Sequence, residues 1–316
     1  MSRTKSFCKQ IFARGINWFL VALLSITLTL TACSPTEQTD VEYIFDDLGR
    51  LVAINGTPQR IVSLSPSNTE ILFALGLGGK VVGVTDWCDY PPEALDKEKV
   101  GSYDTPNIEK IVALTPDLIL VAYGTTMDVI NSLIGLGLTV FGIETTDLDD
   151  VLNDIRTVGE ITDKEVEAQA LTSEMENRIQ GVTNQTEELE GRPRVFYIVW
   201  GSESSALWTA GQGTFIHELI EKGGGVSICQ NITGYTTISI EEVIARDPEI
   251  IISSVLSYDW AINSTGPLAS TNASQTDRIF KCDDNLVQRP GPRIVEGLEW
   301  FAHFIQPDIF PEEPED

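Results

Sequence analysis

The stretch that decides the fold is Ile108–Val121, IEKIVALTPDLILV, because the chain carries a second copy at Ile240–Ser253, IEEVIARDPEIIIS. A shift of 132 positions sets Ile108 on Ile240, Glu109 on Glu241, Ala113 on Ala245, Pro116 on Pro248 and Ile119 on Ile251. Each copy predicts a short helix, a stop and a buried strand. Glu109 and Glu241 fall in the first helical turn, where a carboxylate suits the positive end of the dipole. Pro116 and Pro248 stop the helices, since proline cannot continue one. The runs LILV and IIIS are continuously apolar, as in strands covered on both faces. One repeat at so long a period is no solenoid. It predicts two lobes of like build, each with a glutamate at an equivalent place.

The flanking sequence extends each copy into a sheet. Before the first copy, Arg60–Leu64 (RIVSL) and Lys80–Val84 (KVVGV) read as strands. A helix between them runs through Leu75, capped by Ser67 or Asn68 and stopped by Gly76. After the copy come a helix over Asp128–Leu136 and a strand over Leu138–Ile143. Strands alternating with helices mean a parallel sheet with helices on both faces. Val41–Ile54 alternates about a turn at Asp47-Leu48-Gly49 and predicts a lead-in hairpin. In the second half, Arg194–Trp200 opens a strand, Phe215–Lys222 is a helix stopped by Gly223–Gly225, and Pro292–Gln306 is a closing helix. Ser257–Thr276, rich in Ser, Thr and Asn, is loose.

Between the halves, Thr162 and Glu165 form a capping box at the head of a long acidic helix running to about Glu190. Val166, Ala170, Leu171, Met175, Ile179 and Val182 share a stripe at helical spacing, and the helix should span about 40 Å. The expected fold class is α/β: two lobes, each a parallel sheet flanked by helices, joined by one long rigid connector helix, with a cleft between. The lobes are expected over 46–160 and 191–316, the connector over 161–190.

The first 32 residues read as a lipoprotein signal peptide: Arg3, Lys5, Lys9 and Arg14, then apolar Trp18–Leu30, then Leu30-Thr31-Ala32-Cys33. The expectation is cleavage before Cys33, lipid on its sulfur and a tether over 33–45. Residues 1–32 carry four basic and no acidic residues, so removal leaves 17 Lys+Arg against 47 Asp+Glu, a formal −30. Such a surface repels phosphates and excludes nucleic acid as a partner. Cys88, Cys229 and Cys282 remain, with no metal-site spacing. Export permits a Cys229–Cys282 disulfide, the alternative being three unpaired thiols.

Enzymatic chemistry lacks parts. The two histidines, His217 and His303, sit on amphipathic helices beside apolar residues. Ser65 stands at a strand-to-helix turn, but SLSPS lacks the glycines of a nucleophile elbow. No phosphate loop, dinucleotide fingerprint or zinc motif is present. Aromatic residues stand out instead. Trp87 follows the second strand, Tyr103 and Tyr235 each precede one copy of the repeat, and Trp200 and Trp208 flank the loop after the second lobe's first strand. Ligands of open parallel sheets bind beyond the carboxyl ends of the strands. Aromatics there suit a large, flat ligand.

On the stretches DDLGR, RIVSLSPSNTEILFALGLGGKVVGVTDWCDYPPEA, PNIEKIVALTPDLIL, SIEEVIARDPEIII and PGPRI, the chain resembles the substrate-binding proteins of ABC importers that handle vitamin B12, ferric siderophores and haem. The resemblance runs from Asp46 to about Ile305. It implies a lipid-anchored monomer at the cell envelope, on the outer face of the cytoplasmic membrane or in the periplasm. Ligand would sit between the lobes, and Glu109 and Glu241 would dock to permease arginines. Asp89-Tyr90-Pro91-Pro92 is most similar to vitamin B12 binders, in which the positions of Trp87, Tyr103 and Tyr235 approach the corrin ring. The ligand-binding set expected on this basis is Trp87, Tyr103, Trp200, Trp208, Tyr235, Asp89 and Ser65, with cobalamin or a related corrinoid as cargo and no resident cofactor or metal. The cysteine pair usual in the best-known vitamin B12 binder does not align with Cys229 and Cys282. Two other functions remain in play: a ferric-siderophore or haem binder of the same class, for which Arg289 and Arg293 are the nearest basic residues, and a surface hydrolase using Ser65.

Overall fold

The computed structural model describes residues 41–201 and 206–314. The signal segment, Cys33 and most of the expected tether lie outside these residues. The described chain opens on an antiparallel hairpin, β1 (Val41–Phe45) with β2 (Leu51–Asn55). The last five residues of the stretch read as tether are therefore strand.

Two parallel sheets follow. The first comprises β3 (Ile61–Ser63), β4 (Val81–Val84), β5 (Glu98–Lys99), β6 (Leu118–Ala122) and β7 (Val140–Ile143), in the spatial order β5-β4-β3-β6-β7. In the second half come β8 (Arg194–Ile198), β9 (Ala206–Ala210), β10 (Val226–Ser227), β11 (Tyr235–Ser239), β12 (Ile250–Ser254) and β13 (Ile279–Cys282). The second sheet runs β10-β8-β12-β13, and β9 pairs antiparallel with β11 as a separate ribbon. Alternation along the strands explains why both faces are apolar. Leu118 and Leu120 of β6, like Ile250 and Ile252 of β12, enter one continuous core. Ile119 and Val121 pack on the far side of the first sheet, and Ile251 on the far side of the second.

The repeated stretches form the helix Ile108–Ala113 with β6, and the helix Ile240–Arg246 with β12. Their agreement extends to bonds that the repeat did not announce. Asn107 caps Lys110 N at 3.0 Å, and Ser239 caps Glu242 N at 3.1 Å. Thr115 and Asp247, again 132 apart, take left-handed φ of 46° and 45° after the helix. Each helix end is then tied to the first strand of its own sheet by an arginine. Arg60 donates to Leu114 O at 2.6 Å, and Arg194 to Asp247 O at 2.8 Å, satisfying carbonyls that the helix leaves open. Asp117 accepts Arg60 N at 2.8 Å and Glu249 accepts Arg194 N at 3.0 Å, so the acid after each proline closes the unit.

The connector helix spans Glu165–Thr186, about 33 Å for its 22 residues. It is shorter than expected, and its start differs. Lys164 is the N-cap without a side-chain bond. Thr162 does not form the expected capping box, because its hydroxyl donates back to Val158 O at 2.6 Å and closes the preceding helix, Leu148–Ile161. The buried stripe is Ala168, Thr172, Met175, Val182 and Thr186, while Val166 is exposed. Small polar residues take core positions because their hydroxyls find carbonyls on the helices: Thr186 donates to Lys222 O at 2.6 Å. Arg178 grips Glu299 of the closing helix, Ile294–Ile305, with bonds of 2.9 and 2.7 Å. Met175 and Val182 of the connector share one core with Ile61 of the first sheet, Val195 of the second and Phe301 of the closing helix. Helix and sheets are thus one packed body.

Cys88, Cys229 and Cys282 are buried free thiols, so the permitted Cys229–Cys282 disulfide is absent. Cys229 lies just beyond β10 and Cys282 ends β13, at opposite edges of a four-stranded sheet. Three strand spacings separate those edges by about 14 Å, twice what a disulfide reaches.

Asp154, on the helix Leu148–Ile161, is a buried acid. Burial pushes its carboxyl up to about 8, against the Thr145 hydroxyl bond and with help from the charges of Asp47 and Asp150. Unfolded, it ionises near 3.8. Between these values the folded chain holds the extra proton, so stability is lost as pH rises through the window. Asp154→Asn cannot ionise and should gain on the wild type from pH 5 to pH 9 in urea unfolding. A pH-independent difference would refute the assignment.

Candidate binding cleft

All strands of each sheet are parallel, so their carboxyl ends share one edge, and the loops beyond those edges carry the candidate residues. Ser65 follows β3, Trp87 and Asp89 follow β4, Tyr103 follows β5, and Trp200 follows β8. Contacts between the halves show that the two edges face each other. Arg289, beyond β13, meets Asp89 at 2.6 Å. Leu148 N, after β7, donates to Glu218 Oε2 at 2.7 Å.

The aromatic residues at these edges are open to solvent, from 37% for Tyr235 to 77% for Tyr123. Each therefore keeps part of its ring open at the strand ends, even where, as in Tyr235 and Tyr103, the rest of the ring packs. Local structure explains their placement. In β9, Leu207 and Thr209 turn inward, so Trp208 must turn out. Trp208 pairs with Trp200 in an isolated bridge, its backbone N–H donating to Trp200 O at 2.8 Å. Tyr103 lies over Gly124, where an added Cβ would come within 2.7 Å of its ring; Gly124 also has φ of +94°, so the position requires glycine. Tyr235 packs edge-on to Phe215 with centroids 6.2 Å apart. Burial, and then the neighbouring Tyr123, push its phenol well above the usual range. Tyr123 was not among the expected residues. It stands 132 positions before Val255, itself exposed beside exposed Leu256, so extending the repeat by two residues would have found both rims.

One end of the cleft is closed by ions. Glu70, on the helix Pro66–Ala74, has a side chain only 2% exposed. Arg293 grips it with two bonds, 2.9 and 2.7 Å, and Arg289 adds a third at 3.4 Å. Arg293 also lies 3.8 Å over the Tyr90 ring. Arg289 reaches on to Asp89 and to Trp87 O at 3.4 Å. The Arg289 hydrogen bond, opposed by partial burial, holds the Asp89 carboxyl below its usual range. Asp89 is thus engaged in an ion pair across the halves, with part of its side chain still open. No local signal could reveal this cluster, because its partners are 219 and 223 residues apart.

The remaining expected residues divide. Ser65 is buried and its hydroxyl pairs with that of Ser67 at 2.6 Å, where the helix N-cap was expected from Ser67 or Asn68. His303 Nδ1 faces Phe310 O at 2.8 Å. Neither contact resembles a nucleophile with its base. Glu109 and Glu241 are exposed in the first turns of the repeated helices. Since Arg60 and Arg194 hold the C-terminal ends of these helices at the amino edges of the sheets, their N-termini point toward the carboxyl edges. Both glutamates therefore lie on the side of the cleft.

Residues 61–286 match the model of the periplasmic binding protein family. The chain is 31% identical over 306 residues to an uncharacterised ABC transporter substrate-binding lipoprotein, YvrC, of Bacillus subtilis, covering 92% of this chain and 97% of the relative. The crystal structure of the periplasmic vitamin B12-binding protein BtuF of Vibrio cholerae superposes with a TM-score of 0.70 at 31% identity, over 79% of this chain and 97% of that one. A possible iron-binding, periplasmic solute-binding protein of Staphylococcus epidermidis superposes with a TM-score of 0.69 at 32% identity, over 79% and 99%.

Removing one partner of a buried ion cluster leaves the others charged and dry. Glu70→Ala should therefore destabilise the fold by about 3–5 kcal/mol in urea unfolding. A loss below about 1 kcal/mol, the value of an exposed pair, would mean that water already solvates the two arginines.

Proposed function

The chain belongs to the periplasmic binding protein family, and from that premise we propose that it captures a corrinoid, cobalamin or a close relative, for an ABC importer. The carrying observation is the ring of open aromatic side chains at a rim whose two arginines are already neutralised. A corrin is broad and flat, with neutral amides around its edge. Trp87, Tyr103 and Tyr123 on one rim, and Trp200, Trp208 and Tyr235 on the other, offer the faces such a macrocycle stacks on. Hydroxamate and catecholate siderophores call for free cations, and Arg289 and Arg293 are committed to Glu70 and Asp89. The similarity to a vitamin B12-binding protein supports the same ligand. Haem is the second reading, favoured by the exposed phenol of Tyr123, a group of the kind that ligates haem iron.

In this reading the protein performs no chemistry and holds no resident cofactor; the corrinoid is cargo. Cys33 carries the lipid that keeps the chain at the outer face of the membrane as a monomer. Glu109 and Glu241, exposed on the cleft side of the two lobes, meet arginines of the permease. Asp89 presents its open oxygen to ligand amides, while Ser65, buried and bonded to Ser67, supports the loop beneath.

Purified protein offered cobalamin, a ferric siderophore and haem, then freed of unbound ligand, should retain a one-to-one corrin spectrum with quenched tryptophan fluorescence. Retention of haem or siderophore alone would overturn the corrinoid assignment. Trp87→Ala with Tyr103→Ala should weaken binding by about 2–4 kcal/mol, the range of aromatic anchors elsewhere. Unchanged affinity would remove these loops from the site.

Docking has its own test. Glu109→Arg with Glu241→Arg should leave folding and ligand binding intact while vitamin-limited growth fails, since like charges would face each other across the permease interface. Normal uptake by a correctly anchored variant would end the docking role.

A further inference from the structure

The hairpin β1–β2 presents an apolar face that nothing among the described residues covers. Ile44, Val52 and Ile54 turn inward onto the core. Val41, Tyr43, Phe45 and Leu51 turn outward and are 41–69% exposed. The register sets Phe45 opposite Leu51, Tyr43 opposite Ala53 and Val41 opposite Asn55. These six residues form one outward ladder without a charge, on a chain with 47 Asp+Glu. Contiguous exposed apolar side chains of this kind mark an interaction surface.

The face is also held rigidly. The Asp46 carboxylate accepts Arg50 N at 2.8 Å and Gly142 N at 3.0 Å, and Asp47 Oδ2 accepts Glu144 N at 2.9 Å. The hairpin is therefore fastened to the edge of the first sheet, and its outer face has a fixed direction.

What lies against it follows from where the strand begins. Seven residues, Ser34–Asp40, separate Cys33 from Val41. Fully extended, that segment keeps the start of the face within about 28 Å of a lipid on Cys33. Its sequence, SPTEQTD, supplies no large apolar side chain to cover the face. A second copy would need a far larger surface, since stable interfaces bury about 1,200 Å² or more. The chain as a whole is repelled by an anionic leaflet, so close approach requires an uncharged face. Tyrosine and phenylalanine suit the boundary between headgroups and acyl chains.

We propose that the outward face of β1–β2 rests in the headgroup region of the membrane that holds the lipid of Cys33. This rests on the lipoprotein reading above. The lipid supplies the attachment, and the hairpin sets which way the lobes are turned on it.

The test uses the full lipidated protein in vesicles of phosphatidylethanolamine and phosphatidylglycerol. The thiols of Cys88, Cys229 and Cys282 are buried, so a polarity-sensitive dye reports only an introduced cysteine. Tyr43→Cys and Phe45→Cys probe the face, with Val166→Cys, on the exposed start of the connector, as control. In vesicles the dye at 43 and 45 should shift to the blue and be several-fold less quenched by aqueous iodide than the dye at 166. In detergent the three positions should become alike. Protein that floats with vesicles yet is quenched equally at all three positions would overturn the contact while sparing the anchor. Protein that fails to float would overturn the anchor, and the proposal with it. Protection at 43 that grows with protein concentration in detergent would assign the face to a second copy and overturn the membrane contact.

Discussion

The relation between the two lobes depends on Glu70. Its carboxylate is almost wholly removed from water and held by Arg293 and Arg289, which reach it from the far end of the chain. Such ions are costly to bury, and the cost is offset only when every partner is in place. Arg289 also holds Asp89 and the carbonyl of Trp87, so the same cluster that joins the lobes braces an aromatic loop of the cleft. The connector adds a second constraint. It shares one core with both sheets, and Arg178 fastens it to the closing helix. Large rotations of one lobe against the other would break both. Both fastenings therefore oppose wide hinge closure of one lobe on the other.

Each lobe solves one local problem in the same way. A short helix must end and reverse into a buried strand, leaving carbonyls exposed at its last turn. In both lobes a left-handed residue makes the reversal, an arginine from the first strand takes the carbonyl, and the acid after the proline takes that arginine's N–H. This lock sets the tilt of the helix against the sheet. It is therefore what brings Glu109 and Glu241 to equivalent exposed positions on the cleft side.

Much of this was legible because it rests on short-range chemistry. The repeat, the turn at Asp47-Leu48-Gly49 and the stop at Gly223–Gly225 all act within a few residues, and the structure has the helices, strands and hairpin they imply. Where the reading failed, a bond or a strand order that the apolar pattern does not encode decided the outcome. Thr162 completes the helix before it instead of capping the helix after it. Thr172 and Thr186 replace expected apolar residues in the buried stripe because neighbouring carbonyls satisfy them. Cys229 and Cys282 share an exported lobe, yet the strand order puts them at opposite edges of its sheet.

Sequence by itself determined the fold class, the two-lobe repeat and the placing of aromatic residues on the loops beyond the strands, because hydrophobic periodicity and helix punctuation are properties of neighbouring residues. Only the tertiary structure decided that Tyr123 joins the aromatic rim, and that Arg289 and Arg293 are engaged by carboxylates rather than free for an anionic ligand. It alone decided, too, that one face of the lead-in hairpin is left bare. Each of these depends on which residues meet across more than a hundred positions of chain, and strand order and lobe packing, not local spacing, set those meetings.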